Sequence, residues 1–401
     1  MVKSFPRESV LDYRYERTCE MSQKIVVLEI GSAAIRAGLA GRPSPQIVLA
    51  PPALSTRLAY LELLAGLFVG SLQLRPKECQ VLVVEKVSAT RVERAHLLSV
   101  LLKDLQVSGV TMQIDLCMSL MASGSQTMTG LVVDIGMRET RMISLAFGRP
   151  IQQSLRVVGI GVSHAVDAFI ASIVSHLGIS VGHEGETEVE QQQRLQGLKS
   201  LFDKVADAAA NGDQDTVVVS PKQSLHGKAF SLPASLRRAA VVQTLVHGHT
   251  PVLGSASARG GGGGGGGGEE EEEGAVTVLH PGGLASAMVS CLSACNHDIR
   301  RACANNVVCI GGGAMIPNLA AELCAQATTA AAADGVLSSP LVPSDLAFAA
   351  DSLAWTGASL FGTLKSSQAR FMTAAQYHAD KPPPDWQSLD PDDWTFYSPL
   401  G

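Results

Sequence analysis

The sequence predicts an α/β protein of two lobes, and three observations favour this fold. Three short runs of β-branched and aliphatic residues, Lys24 to Ile30, Gly130 to Ile135 and Asn306 to Ile310, each predict a buried strand. Each run is followed at once by a turn of small residues. The chain has 401 residues, 46% of them hydrophobic, which is long for one core and suits two α/β lobes.

The three turns read Glu29-Ile-Gly-Ser-Ala33, Asp134-Ile-Gly136 and Ile310-Gly-Gly-Gly-Ala-Met315. Small residues let backbone N–H groups approach a phosphate oxygen, and a carboxylate at the end of a strand can hold hydrated Mg²⁺. Any one turn alone indicates little, because a glycine after a strand is an ordinary turn in most proteins. Their common pattern predicts a nucleotide cleft between the two halves.

Other segments have simpler interpretations. Gln80 to Glu85 predicts a strand, and Leu58 to Leu74 predicts a buried helix that is too short for a membrane span. An amphipathic helix is expected at Leu195 to Ala210. The run Gly260 to Gly268, followed by Glu269 to Glu273, predicts a flexible insertion within a lobe, because it offers no side chain to bury and repels itself.

Charge and cysteine content narrow the function classes. The net charge of -6 and the lack of a basic stripe argue against nucleic acid as a partner. Met1 to Gln23 has no apolar signal region. The eight cysteines include no Cys-x-x-Cys pair. The spacing of Cys291, Cys295 and Cys303 is compatible with zinc, but these residues are predicted in an apolar helix and its following strand, which favours reduced, buried thiols.

Four segments together resemble the actin family. Lys24–Gly41 is similar to the first phosphate-binding segment of that family, and Ser119–Gly124 with Leu131–Gly136 is similar to the segment that leads into the second phosphate loop. Asp298–Arg300 with Asn305–Pro317 matches the adenosine segment, and Ala354–Ser359 matches the near-terminal Trp-x-Gly-Gly-Ser. The resemblance implies an actin-like two-lobed fold with ribonuclease-H-like halves.

The resemblance also implies a nucleotide site for ATP or ADP with Mg²⁺. Its residues would be Glu29, Gly31, Ser32, Arg36, Asp134, Gly136, Gly311, Gly312 and Met315. Protein atoms alone would not hold the metal, which Glu29 and Asp134 would approach through its bound water.

The residues expected for ATP hydrolysis differ from the family pattern. The second phosphate loop continues as Met137-Arg138-Glu139-Thr140 where the family has Asp-Gly, and Asp115 falls at the family's water-orienting Gln. Glu29 is one methylene longer than the family's Asp, Ala33 replaces a glycine, and Val162 and Ser163 replace charged residues after the Gly159-Ile-Gly161 turn. Hydrolysis by the actin mechanism is therefore not expected. Two alternatives stay open for the cleft. It either binds a nucleotide or has lost the ligand, in which case its glycines only preserve the tight turns of the fold.

The interval Arg42 to Cys79 is about half as long as its counterpart in actin. The resemblance implies that the missing part is the small pointed-end subdomain, whose loop grips the next filament subunit. A chain without it is expected to terminate a filament and not to extend one.

The closing run Gln376–Leu389 is not actin's own ending and resembles the actin-related branch at the pointed end of dynactin. This implies dynactin's filament subunit and the other pointed-end subunits as partners, dynein as an indirect one, and a cytoplasmic, cytoskeletal location without membrane insertion. Another actin-related scaffold, of the nuclear chromatin-remodelling type, and a sugar kinase with Asp115 as base are the alternatives. The aromatic tail from Tyr377 predicts either a docking segment or rings packed on the first lobe.

The expected domain organisation follows from these assignments. Residues 1–23 form an N-terminal tail. Residues 24–129 and 352–401 form the first lobe, and residues 130–351 form the second lobe, with the flexible insertion at 254–274.

Overall fold

A computed structural model describes residues 24–177, 202, 216–219, 230–251, 276–278, 282–368 and 370–377. Four predicted features lie outside the described residues: the N-terminal tail at 1–23, the insertion at 260–273, the tail beyond Tyr377 and, except for Phe202, the helix at 195–210. In the described part of the chain, no helix combines the length and apolar character needed to cross a membrane.

The described elements include both strands and helices, in runs of one to four strands separated by helices. The strands are β1 Lys24–Ile30, β2 Ile35–Leu39, β3 Ile47–Leu49, β4 Cys79–Glu85, β5 Gly109–Ile114, β6 Gly130–Ile135, β7 Thr140–Ala146, β8 Arg149–Pro150, β9 Arg156–Val158, β10 Thr216–Val219, β11 Phe230–Pro233, β12 His249–Pro251, β13 Val276–Val278 and β14 Val307–Ile310. The helices are α1 Arg57–Ala65, α2 Arg91–Ser99, α3 Asp115–Ala122, α4 Val162–Leu177, α5 Ala234–Val241, α6 Gly283–Ser293, α7 His297–Ala304, α8 Leu319–Ala333, α9 Leu353–Gly362 and α10 Lys365–Gln368. Three helices, α1, α2 and α5, continue into wider π turns at Gly66–Ser71, Val100–Asp104 and Val242–Val246.

The chain divides into two compact units. The first contains the described residues up to Val132, together with Leu145–Gln152 and the described residues from Asp345 onward. The second contains Val133–Ser144 and the described residues from Gln153 to Ser344.

The first unit is built on a five-stranded sheet in the order β3-β2-β1-β4-β5. Strands β1, β4 and β5 run parallel, while β2 and β3 return antiparallel. The apolar run Val26–Leu28 is fully buried in the central strand. Trp355 on α9 is also fully buried, and its Nε1–H donates to the carbonyl of Val27 at 3.1 Å. Hydrophobic burial and this hydrogen bond therefore fix α9 against the sheet.

Helices α3 and α9 pack closely against each other in the first unit. A Cβ at Gly357 would lie 2.6 Å from the carbonyl carbon of Met118, so glycine is what permits this approach. The closeness of the two backbones explains why a small residue stands in the middle of α9.

A second sheet has the order β14-β6-β7-β8, and β9 also pairs with β7. All six residues of β6 and all four of β14 are buried. Such continuously buried, mostly apolar strands are typical of a sheet covered on both faces. Two short pairs, β10 with β11 and β12 with β13, complete the described strands.

The three strands expected from the sequence are confirmed, with one change of boundary. Strands β1 and β6 have the predicted ends, and β14 begins at Val307, one residue later than expected. The predicted strand at Gln80 is confirmed as β4, which begins at Cys79.

The buried helix expected at Leu58 to Leu74 is confirmed on one face only. Tyr60, Leu64, Leu67 and Phe68 are buried, while Leu58 and Val69 are 62% and 68% exposed. A helix beside a sheet buries one stripe of side chains, so a continuously apolar run still leaves residues in solvent.

The cysteine prediction is confirmed for the described residues, and one placement was wrong. All seven described cysteines are free and buried. Cys291 lies in α6, but Cys303 lies in a separate helix, α7, and the strand that follows carries Cys309. No group of three or more potential metal-ligating side chains occurs among the described residues.

Candidate functional site

The first candidate turn joins β1 to β2 in the first unit. Gly31 N–H donates to the carbonyl of Ala34 at 2.9 Å, which closes a four-residue turn. A Cβ at Gly31 would lie 2.7 Å from that same carbonyl oxygen. Ser32 and Ala33, at the tip of the turn, are exposed. The predicted phosphate-binding backbone therefore exists as an exposed tight turn that requires glycine at its start.

Glu29 and Arg36 face each other across β1 and β2. The strand register places them as direct partners, and Arg36 Nη1 donates to Glu29 Oε1 at 3.0 Å. Arg36 Nη2 also lies 3.5 Å from Asp351 Oδ2. The Arg36 and Glu29 side chains are only 13% and 16% exposed. The arginine expected to face a phosphate thus contacts two carboxylates of its own unit.

The second candidate turn joins β6 to β7 in the second unit. Gly136 N–H donates to the carbonyl of Glu139 at 3.0 Å, so this turn has the same form as the first. Met137 is 43% exposed and Arg138 is also exposed. Neither side chain is therefore held in the core. Both occupy the tip of the turn, at the positions where the resemblance implies Asp-Gly in the family.

Asp134, at the end of β6, is paired with Arg141. Arg141 Nη2 donates to Asp134 Oδ2 in a close ion pair, and the two side chains are 10% and 11% exposed. Arg141 Nε also lies 3.8 Å from Glu139 Oε1. Arg141 is not among the site residues predicted from the sequence, although its position offers a signal. It follows Asp134 by the same interval that separates Arg36 from Glu29.

The second turn is also tied to the start of α4. The N–H groups of Val162 and Ser163 donate to the carbonyls of Gly136 and Met137 at 3.0 and 2.8 Å. These contacts satisfy two of the backbone donors that a helix leaves free at its N-terminus. A ligand at this turn therefore cannot use those two donors without displacing the turn.

The glycines after β14 have different surroundings. Gly311 has φ +86°, and a Cβ there would meet Asp134 Oδ1 and the carbonyl of Ile135. A Cβ at Gly313 would lie 2.8 Å from Cβ of Ile135, whereas Gly312 has nothing within 4 Å. Met315 is 55% exposed. Close packing on β6 therefore explains Gly311 and Gly313 without a ligand, while Gly312 and Met315 face open space.

Asp115, at the first position of α3, is 5% exposed. Its Oδ1 accepts from the backbone N–H of Leu116 at 2.8 Å and of Val87 at 3.3 Å. The carboxylate therefore joins the start of α3 to the segment after β4. These two contacts give the carboxylate a structural role at the start of the helix.

A separate pocket of about 60 Å³ lies in the first unit at the ends of β1 and β4. Its lining includes Ile30, Tyr60, Glu93 and the buried ion pair between Arg94 Nε and Glu85 Oε1. Ligand pockets typically have volumes of about 300–1,000 Å³. This pocket is too small for a nucleotide.

One comparison with known proteins identifies the family. A family model described as Actin matches residues 58–220 and 265–382, more than half of the chain. The first turn lies before the matched residues, and the second and third turns lie within them. The two-unit α/β architecture agrees with the actin-like fold expected from the sequence. Within the interval in which the small subdomain was expected to be shortened or absent, only residues 50–56 separate β3 from α1. The chain therefore belongs to the actin family.

Proposed function

We propose that this chain is a non-catalytic actin-related subunit that caps the pointed end of dynactin's actin-like filament and so supports dynein-driven microtubule transport. The observation that carries the proposal is the short connection from β3 to α1. β3 ends at Leu49 and α1 begins at Arg57. The intervening seven residues span at most about 25 Å when fully extended. They cannot form the pointed-end subdomain by which a filament subunit of this family holds its neighbour.

Contacts on both sides of this connection restrict it further. Before it, Ser359 Oγ donates to the carbonyl of Arg42 at 2.7 Å, and Thr356 Oγ1 donates to that of Pro43 at 3.1 Å. At its end, Thr56 caps α1 by accepting from Ala59 N–H at 3.3 Å. The chain is therefore held to α9 shortly before the connection and becomes helical directly after it, which leaves little length for an additional element.

The sequence of the ending favours dynactin over other actin-related assemblies. The run Gln376–Leu389 resembles actin-related protein 10, the pointed-end member of dynactin. Nuclear actin-related scaffolds would be expected to keep or enlarge the pointed-end region, which is shortened here. The predicted partners are dynactin's filament subunit, of the actin-related protein 1 type, and the other pointed-end subunits.

A non-catalytic role is supported by the side chains around the turns. Asp115 accepts hydrogen bonds from backbone groups, and the exposed Met137 cannot ligate a hydrated metal. We expect purified protein with ATP and Mg²⁺ to release phosphate no faster than a buffer control. Phosphate release at the rate of an actin filament would contradict this prediction.

Filament growth provides the direct test of capping. We expect the protein alone to stay unpolymerised at concentrations at which actin forms filaments, because each copy lacks the element that engages its neighbour. Mixed with dynactin's filament subunit, it should bind the pointed end and stop elongation there. Growth at each end can be followed by fluorescence microscopy of single filaments.

Two insertion variants sharpen this test. Replacing residues 50–56 with an actin-derived pointed-end subdomain should weaken the cap by allowing another subunit to add. A Gly/Ser insertion of equal length is the matched control and should leave capping unchanged. Long homopolymers of the unmodified protein, or equal binding to filament sides and both ends, would favour a general actin-like scaffold.

A further inference from the structure

Ser44 lies in a proline-flanked segment on the surface of the first unit. The segment Gly41–Gln46 joins β2 to β3 and contains the run Arg42-Pro43-Ser44-Pro45. Arg42, Pro43 and Ser44 are all exposed. The Ser44 hydroxyl makes no hydrogen bond with any part of the chain that the structure describes. This hydroxyl is therefore open to reaction with an external enzyme.

The backbone on both sides of Ser44 is held in place. Hydroxyl groups of α9 donate to the carbonyls of Arg42 and Pro43 at 2.7 and 3.1 Å. On the other side, Gln46 N–H donates to the carbonyl of Ala37 at 2.9 Å. None of these contacts uses the Ser44 side chain. A group added to its oxygen would therefore displace none of them.

The proline after Ser44 is the feature that selects one class of enzyme. Pro45 has no backbone N–H, and it disfavours helical backbone at the residue before it. Proline-directed kinases modify serine or threonine directly before proline. Another residue at that position would bring a backbone N–H into the kinase site and leave it without an acceptor, which is costly.

The structure distinguishes Ser44 from other residues that precede proline. The sequence has five serine–proline or threonine–proline pairs, which begin at Ser44, Ser220, Thr250, Ser339 and Ser398. Of those that the structure describes, Thr250 lies in β12, which is paired with β13, and Oγ of Ser339 is buried. A kinase needs the hydroxyl oxygen in solvent and a backbone that is not paired in a sheet. Among the described pairs, Ser44 meets both requirements.

Arg42 provides a positive charge close to this hydroxyl along the chain. It is exposed and makes no ion pair with any described residue. It is also the only charged residue in the sequence of Gly41–Gln46. Phosphoserine carries a charge of about −1.5 to −2 at pH 7, and arginine pairs well with phosphate. A phosphate on Ser44 would therefore change the net charge of the segment from positive to negative.

We propose that Ser44 is a phosphorylation site for a proline-directed kinase and that Arg42 pairs with the phosphate. In the reaction, Oγ of Ser44 bonds to the γ-phosphorus of ATP and the bond from that phosphorus to the β,γ-bridging oxygen breaks. The hydroxyl proton passes to a base on the kinase, and ADP leaves. The modification gives the surface between β2 and β3 a reversible change of charge. It does not depend on pointed-end capping.

The first test is phosphorylation of the folded full chain by a purified proline-directed kinase with ATP and Mg²⁺, followed by site mapping by mass spectrometry. Among the described residues, phosphate should appear on Ser44 and not on Ser339. Ser44→Ala and Pro45→Ala should each lose it. Ser71→Ala is the matched control, because Ser71 is exposed but not followed by proline, and should keep it. A Ser44 that stays unmodified, or is modified only after unfolding in urea, would overturn the proposal.

The second test measures the pairing with Arg42 by ³¹P nuclear magnetic resonance of the phosphorylated chain. Phosphoserine loses its second proton at a pKa of about 6, and a nearby guanidinium group lowers this pKa because it favours the dianion. The phosphate signal should therefore titrate at lower pH in the parent chain than in Arg42→Gln. Arg75→Gln, at another exposed arginine, is the control and should titrate like the parent.

Equal titration in Arg42→Gln and the parent would overturn the pairing. Pro45→Ala and Arg42→Gln change exposed or half-exposed positions, and their folding can be checked by circular dichroism. If Pro45→Ala does not fold, Ser44→Ala still decides the site. Because neither test involves filaments, failure here leaves the capping proposal untouched, and failure of capping leaves this proposal untouched.

Discussion

Gly312 is the residue at which a substitution can best test ligand binding without disturbing the fold. Its neighbours Gly311 and Gly313 are held by close packing against β6, whereas a side chain at Gly312 would enter open space. A substitution at Gly312 should therefore leave the fold intact and report on the ligand.

We expect Gly312→Leu to remove the rise in melting temperature caused by adenine nucleotide, while the melting temperature without ligand changes little. Gly70→Leu is the matched control, because Gly70 also has open space around its Cβ and lies far along the chain. Gly311→Ala should instead cost about 1–3 kcal/mol of stability, since its φ of +86° strains an L side chain. A nucleotide-induced shift that survives in Gly312→Leu would exclude this turn as the adenine-side site.

At the scale of elements, the strand–turn–strand unit explains why the strands could be predicted from the sequence and why Arg141 could not. The apolar strands and small turns are local features, so β1 and β6 could be predicted with their ends. The partner of each carboxylate depends on cross-strand register. Glu29 and Arg36 are opposite each other only because four residues, Gly31 to Ala34, close the turn between β1 and β2. Arg141 was missed for this reason.

Helix α1 illustrates the opposite case, in which local sequence misled. The apolar run Leu58 to Leu74 predicts a buried helix, but Leu58 in α1 and Val69 in the π turn that continues it are exposed. Which face is covered depends on the elements that pack against the helix, which include α2 and the π turn that follows it. Neither is visible in the residues of the helix itself.

At the scale of the whole molecule, seven described cysteines are buried without forming disulfides. Burial raises the pKa of Cys291 to about 11 and that of Cys324 to about 12, above the ordinary thiol value of 9.0. Burial also raises the pKa values of Cys117 and Cys309. The physical cause is the same in each case, because an apolar surrounding disfavours the charged thiolate.

These pKa shifts predict a loss of stability in alkali. A group whose folded-state pKa is raised keeps its proton in the native state while the unfolded chain loses it. The free energy of unfolding should therefore fall as pH rises above about 9, by about 1.4 kcal/mol per pH unit for each fully buried thiol up to its folded pKa. Urea unfolding at pH 8 and pH 10 under reducing conditions would measure this change.

Alanine variants provide the control for this prediction. Cys291→Ala should reduce the dependence of stability on pH between 8 and 10, because it removes one thiol with a raised pKa. It should also lower the stability at pH 8, since the cavity it leaves loses packing. A stability that is unchanged or higher at pH 10 than at pH 8 would show that the thiols are accessible to solvent in the native chain.

Alone, the sequence determined the family, the three strands and the small turns that follow them, because these depend on residue type and short-range spacing. It also predicts that the pointed-end subdomain is shortened or absent within residues 42–79, since length is a property of the chain itself. Only the tertiary structure decided which side chains meet. It placed Arg36 and Arg141 on the two carboxylates, held Asp115 with backbone N–H groups and distinguished Gly312 from its packed neighbours. Such contacts depend on strand register and on the approach of distant segments, and local sequence patterns do not carry that information.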